Sequence, residues 1–195
     1  MNTDLEKLKQ IRKSSVFTLS PNYSVNVCFR NLFKNNGGLI SYNEDVEQLN
    51  SEETMTPTQI IAKMTPEFQR NNTKWTQKMQ RQFVENILLG CKTELHLYGV
   101  KGRGSELGQC MILDGLQRLT AISSFQSGEF SIFDGMLWEN LSTGGIFPRL
   151  NLLVNIFTFS SDVEACRHYI QINKGTTHSE SDLKTAYDFM DKWAA

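Results

Sequence analysis

The sequence predicts a mixed α/β domain, and three observations carry that expectation. Leu150, Leu152, Val154 and Ile156 alternate with Asn151 and Asn155, and Thr158 continues the apolar row, the period-two signature of a strand. Leu95–Val100 and Gln109–Leu113 are short apolar runs separated by Lys101–Gly108, a loop with three glycines, and together they read as a hairpin. Other stretches carry apolar residues at spacings of three and four, the helical period.

Taken in order, Asp4–Arg12 is compatible with a short charged helix presenting Leu5, Leu8 and Ile11. Asn35-Asn36-Gly37-Gly38 reads as a turn, and Asn43–Thr58 is polar and broken at Pro57. Residues 1–59 therefore form the expected N-terminal arm or subdomain, and residues 60–195 the main domain. Met64–Arg70 is expected to be extended, because Pro66 pushes Thr65 out of the helical region. A helix follows over Thr73–Leu89, with Trp75, Met79, Phe83 and Ile87 as its core stripe, Val84 and Leu88 widening it, and Gly90 ending it. Leu116–Phe125 reads as a helix burying Leu116, Leu119, Ile122 and Phe125. Phe130–Phe133 and Met136–Trp138 suggest a second hairpin around Asp134-Gly135. Ser161-Asp162-Val163-Glu164 matches a capping box that opens a helix through Ile172. After the loop Asn173–His178, a last helix carries Leu183, Ala186, Tyr187 and Met190 on one face.

Composition excludes several function classes. With 39 % hydrophobic and 21 % charged residues, the 195-residue chain suits an ordinary packed core. Its net charge of −1 argues against coating nucleic acid by bulk electrostatics. Lys9, Arg12, Lys13, Lys101 and Arg103 are candidates for a local basic patch or for plain solvated charge. Four cysteines without a Cys-x-x-Cys pair imply neither a zinc ribbon nor a disulfide framework, and fit a reducing compartment. No stretch resembles a signal peptide or a membrane span, so a cytoplasmic protein without a membrane partner is expected. His96, His168 and His178 are too scattered for a zinc site, and His168 is expected at the surface or half-buried. No protein metal site is expected, and Glu67 and Glu85 lack a partner acid for glycosidase-type chemistry.

The segment richest in chemistry is Asp114-Gly115-Leu116-Gln117-Arg118. A strand ends there, a glycine permits a sharp turn, and a helix begins at once. First-turn N–H groups and the positive end of the helix dipole attract anions. Gly115 removes the side chain that would keep a phosphate from the backbone. Arg118 adds a planar guanidinium suited to two phosphate oxygens. A cation in the first turn opposes the dipole by about 0.3–1 kcal/mol, a cost that a bound anion would reverse. Two structural readings compete with phosphate binding. Asp114 and Gln117 match a capping box, and Asp114 with Arg118 could form a helix-surface ion pair of about 0.3–0.5 kcal/mol. Spacing alone leaves these alternatives open.

Several segments, in order, resemble the N-terminal domain of the GmrSD family of modification-dependent restriction enzymes. They are Thr65-Pro66-Glu67-Phe68-Gln69-Arg70 with Trp75; Phe83-Val84-Glu85-Asn86-Ile87-Leu88-Leu89-Gly90; Asp114-Gly115-Leu116-Gln117-Arg118-Leu119-Thr120; and Asn173-Lys174-Gly175-Thr176-Thr177 with Leu183 and Ala186 behind it. They span roughly residues 60–195. The third is similar to that family's Asp-Gly-Gln-Gln-Arg-Leu signature, and the fourth to its Asn-x-Gly-Gly/Thr loop. The resemblance implies a ParB/sulfiredoxin-like domain with helices packed around a small mixed sheet. It also implies binding and hydrolysis of a nucleoside triphosphate with Mg²⁺, in control of DNA cleavage by a separate nuclease domain.

Residue by residue, the resemblance implies phosphate contacts from Gln117 and Arg118 over the bare backbone of Gly115. Asp114 would orient a metal-bound or attacking water, or cap the helix. Gln69 and Arg70 would reach the same pocket, and Asn173, Gly175 and Thr176 would close it. Leu116 replaces the signature's first glutamine, so binding is expected ahead of hydrolysis. Leu116 also stands where the Gly-Cys-His-Arg turn of sulfiredoxins places its cysteine, which removes thiol chemistry from this turn. No nuclease signature is visible in the chain. The expected setting is DNA restriction, anti-restriction or related DNA processing, as a stand-alone regulator, a subunit beside a separate nuclease, or a phage or mobile-element relative. The competing expectation is a non-catalytic module of the same fold that binds DNA or a protein partner.

Overall fold

The computed structural model describes residues 6, 7, 10, 20–69, 74–103, 108–143, 150–174 and 180–193. Sheet order follows from the strand Asn151–Phe159 (β4), whose two rows of side chains are both largely buried. A strand covered on both faces belongs inside a sheet, and the order is β1-β4-β2-β3. Tyr23–Cys28 (β1) runs antiparallel to β4, and Glu94–Val100 (β2) runs parallel to it, with Val25 and Leu95 flanking Val154 from either side. Met111–Asp114 (β3) closes the expected hairpin with β2, with an irregularity at His96/Leu97. The mixed α/β class read from the sequence is the class observed.

Among the described residues seven α-helices flank this sheet: Glu44–Glu52 (α1), Pro57–Met64 (α2), Gln77–Leu88 (α3), Leu116–Gln126 (α4), Trp138–Thr143 (α5), Asp162–Asn173 (α6) and Glu180–Trp193 (α7). On one face Leu95, Leu97, Ile112, Leu152, Val154 and Ile156 pack with Ile60, Met64, Val84, Ile87, Leu119, Ile122 and Phe125 from α2–α4. On the other, Tyr98, Leu113, Phe157 and Phe159 meet Cys166, Tyr169, Leu183 and Ala186 from α6 and α7, with Phe68 inserted between them. Three layers result. As expected, α4 buries Leu116, Leu119, Ile122 and Phe125, and Ala121, Ser123 and Ser124 are buried too.

The stretch 20–59, set apart in the sequence, contributes Val27, Phe29, Leu32, Leu39, Ile40 and Val46 to the first core. Asn43 joins it to the sheet: its side chain accepts from Val46 N as the cap of α1 and donates to the Cys110 carbonyl at 2.9 Å. Pro57 starts α2 instead of breaking a segment, because its missing N–H lies in the first turn, where no intrahelical partner exists. The expected Asp4–Arg12 helix falls mainly on residues outside those described.

Other expectations need correction. Met79 is 48 % exposed, while Val84 and Ile87 are buried. Steps of four residues overshoot the 3.6-residue turn, so a stripe built on them drifts off the core. The second hairpin reduces to one bridge, Ile132–Met136, because Phe133, Asp134 and Gly135 all take positive φ. Trp138 leaves it to head α5, edge-on to Phe29 and Phe125. Of the expected extended stretch Met64–Arg70, Met64 ends α2 and Thr65 is extended; Gln69 N then donates to the Pro66 carbonyl and closes a turn, and Arg70 lies outside the described residues. At α6, Ser161 caps Glu164 N as expected, but the Glu164 carboxylate returns to Ser160 instead of Ser161.

Asn43→Ala removes a helix cap and the donor to the Cys110 carbonyl. It should lower unfolding stability by about 2 kcal/mol, read from the urea midpoint; a change too small to resolve would mean that residues 20–59 add little to the main core.

Candidate functional site

Four of the residues named from the sequence share one turn. β3 ends at Asp114, and Gly115 then caps α4 in the left-handed region at φ +102°, with no side chain capping the helix. A Cβ there would also stand 2.6 Å from a Leu95 methyl carbon, so the position demands glycine on two counts. The capping-box reading of Asp114 and Gln117 is thereby overturned: the N-cap is Gly115, one residue later.

Arg118 reaches back across the turn. One guanidinium nitrogen lies 3.3 Å from the Asp114 carboxylate and the other donates to the Glu94 carbonyl at the start of β2. Both partners of the ion pair are about one-third exposed. In water such a pair contributes about 0–1 kcal/mol, so it orients Arg118 without committing it. Gln117 Oε1 accepts from Trp75 N at 3.3 Å, whereas its Nε2 is buried without a partner.

Gln69 reaches the same strand end in a different role. Its side chain is buried, and Nε2 donates to the Ile112 and Leu113 carbonyls at 2.7 and 3.0 Å. Both amide hydrogens therefore brace the last residues of β3. Asn173 ends α6, is buried, and donates to the Tyr169 carbonyl at 2.9 Å, closing its own helix. Arg70, Gly175 and Thr176 lie outside the described residues.

Glu94, Asn155, Ser24 and two histidines belong to no motif, yet they extend the site across the sheet. Glu94 accepts from Asn155 Nδ2 at 3.0 Å, and Asn155 accepts from Ser24 Oγ at 2.7 Å. His96 Nε2 lies 3.6 Å from the same Glu94 carboxylate. The sequence signal for Glu94 and His96 is the alternation Glu94, His96, Tyr98, which sets them on one face of β2. His168, expected near the surface, is 4 % exposed. It packs against the Phe157 and Phe159 rings, and His96 also packs against Phe157, at a 5.4 Å ring separation. Nδ1 is unpartnered in both histidines.

The four cysteines are unpaired. Burial pushes the Cys110 and Cys166 thiols up to about 12, so neither is a nucleophile at neutral pH. Among the described residues no three His, Cys, Asp or Glu side chains are grouped to hold a metal, and no helix is long and apolar enough to cross a membrane. A cavity of about 500 Å³ opens elsewhere, beside Tyr98 and Arg103, and none of Asp114, Gln117 and Arg118 lines it.

His168 makes stability depend on pH. Burial first, then the neighbouring His96, lowers its pKa below the usual 6.5, against a weaker opposing pull from Glu164. The unfolded chain therefore binds the proton more readily than the folded one. His168 lends stability above pH ~6.5 that is lost as pH falls through the depressed folded value. Urea midpoints should drop from pH 8 to pH 5, and His168→Phe should shrink that drop; an unchanged drop in the variant would remove His168 as its source.

The scan against protein-family models and the searches of curated proteins and of solved structures each returned no match, so the reading of this turn stands on its own geometry and on the sequence resemblance.

Proposed function

We propose that the Asp114–Arg118 turn binds the phosphates of a nucleoside triphosphate, and that the protein works as a nucleotide-binding domain in DNA restriction, anti-restriction or DNA processing. The observation that carries the phosphate reading is the buried, unpartnered Nε2 of Gln117 in the first turn of α4, next to left-handed Gly115. An unsatisfied buried donor costs about 1–3 kcal/mol, and a phosphate oxygen would satisfy it. Arg118, held only by a weak ion pair and one carbonyl, can turn a fork of N–H groups to the same phosphate. That exchange frees the Asp114 carboxylate for Mg²⁺ or its water, with the triphosphate supplying most of the other oxygens. Leu116 is turned into the core and offers no polar group, so binding has more support than hydrolysis. The DNA setting rests on the resemblance alone.

One observation favours a second reading. In the free protein Arg118 already bridges Asp114 and the Glu94 carbonyl. A non-catalytic module whose Arg118 braces β2, and which meets DNA or a protein partner elsewhere, would look the same.

Titration with fluorescent ATP and GTP analogues and Mg²⁺ separates the two. Saturable binding that Arg118→Ala weakens about 10–100-fold supports the nucleotide reading. No binding by the wild-type chain, or equal binding by the variant, overturns it; a DNA mobility shift indifferent to nucleotide then favours the second.

A further inference from the structure

The cavity beside Tyr98 plays no part in the nucleotide reading, and its walls have a chemistry of their own. Phe68, Tyr98, Phe189 and Trp193 supply aromatic surface, with Pro66, Met111 and Val163 between them. Three charged side chains line it: Glu67, Arg103 and Asp162. Two of these satisfy each other. The Arg103 guanidinium donates to both Asp162 oxygens, at 3.3 and 2.6 Å, and the Tyr98 hydroxyl donates to one of them at 3.0 Å. Burial first, then Asp162, raises the Tyr98 pKa far above its ordinary value, so the hydroxyl keeps its proton.

Glu67 remains. Its carboxylate is exposed and engages no hydrogen bond or ion pair. Of the charged side chains that line the cavity, the one without a partner is therefore negative. An anion would have to draw Lys192 off the Trp193 ring or break the Arg103–Asp162 fork, whereas a cation meets Glu67 and the other ring faces without disturbing either. Aromatic faces attract ammonium groups by about 0.5–2 kcal/mol each, and Trp193 already carries one, with Lys192 Nζ 4.7 Å from its ring centroid. The volume, about 500 Å³, is in the range for a small molecule.

We infer that this cavity is a second binding site, for a small organic cation: an ammonium group carried on an apolar or aromatic body. Glu67 provides the counter-charge, and Trp193 and Phe189 provide the rings that remain in reach. The inference is independent of the nucleotide reading, because the two sites share no residue.

Benzyltrimethylammonium is the probe, with benzyl alcohol and benzoate as its neutral and anionic counterparts. The Trp193 indole N–H resonance, assigned by its loss in Trp193→Phe, reports occupancy. The expected result is a saturable shift with benzyltrimethylammonium, weakened about tenfold in Glu67→Gln. Val163→Phe, which narrows the cavity from a half-buried position in the first turn of α6, should weaken it as well. Three results overturn the inference: no saturable shift, an affinity for benzyl alcohol or benzoate that matches the cation's, or a Glu67→Gln variant that binds as the parent does.

Discussion

The first turn of α4 is tied to the first residue of β2 by the bond from Arg118 to the Glu94 carbonyl. Much of the site follows from that contact. It fixes where the guanidinium sits, and the Asp114 carboxylate beside it balances its charge. The contact is possible because Gly115, at a φ closed to other residues, lets the chain leave β3 and enter a helix within one residue. Leu95 fills the space where a side chain would have stood. The energies are graded in a useful way. A partly exposed ion pair is worth about 0–1 kcal/mol, whereas a hydrogen bond between charged groups is worth about 1.5–3 kcal/mol.

Legibility in the sequence followed burial pattern. β4 and the β2–β3 hairpin were readable because apolar runs or alternations bounded by glycine leave few other solutions. The helix after Gly115 was readable because its residues at spacing three face the deepest part of the core. β1 was not, although Tyr23, Val25 and Val27 alternate with Ser24, Asn26 and Cys28. An edge strand is half exposed, and its short signal is lost among the polar residues that follow. Residues 29–42 then turn through two short 3₁₀ segments whose buried side chains keep no single period. Asp134-Gly135 misled for a different reason: the turn is present, but positive φ at Phe133 as well leaves too little extended chain for a ladder.

The candidate site was legible at its turn and opaque around it. Spacing showed that Asp114, Gly115, Gln117 and Arg118 share one corner. It could not show that Gln69 spends both amide hydrogens on β3 carbonyls, since that depends on a buried contact between distant segments. Nor could it bring together His96 and His168, which sit on a strand and a helix from separate parts of the chain and both contact Phe157. Two scattered histidines become a pair once the sheet forms, and their surroundings are apolar enough to keep His168 neutral.

The unsatisfied groups point the same way as the turn does. Among the described residues the buried side-chain atoms without a partner are His96 Nδ1, Gln117 Nε2 and His168 Nδ1. Each costs about 1–3 kcal/mol, so a fold selected for stability alone would have little reason to keep them. Two of the three lie beside the turn. Gln117 lies in the first turn of α4, and His96 is the cross-strand partner of Asp114 at the end of β3. His168 adjoins His96 across Phe157. Beside the same turn Asn155 and Gln69 are buried but bonded, as is Asn43 farther off. Local rules tend to be broken where function needs them broken. Among the described residues two of the three unpartnered atoms sit by the end of β2 where the chain turns from strand into helix, and the third lies against Phe157 and Phe159, which pair with Tyr98 and Val100 toward the other end of that strand.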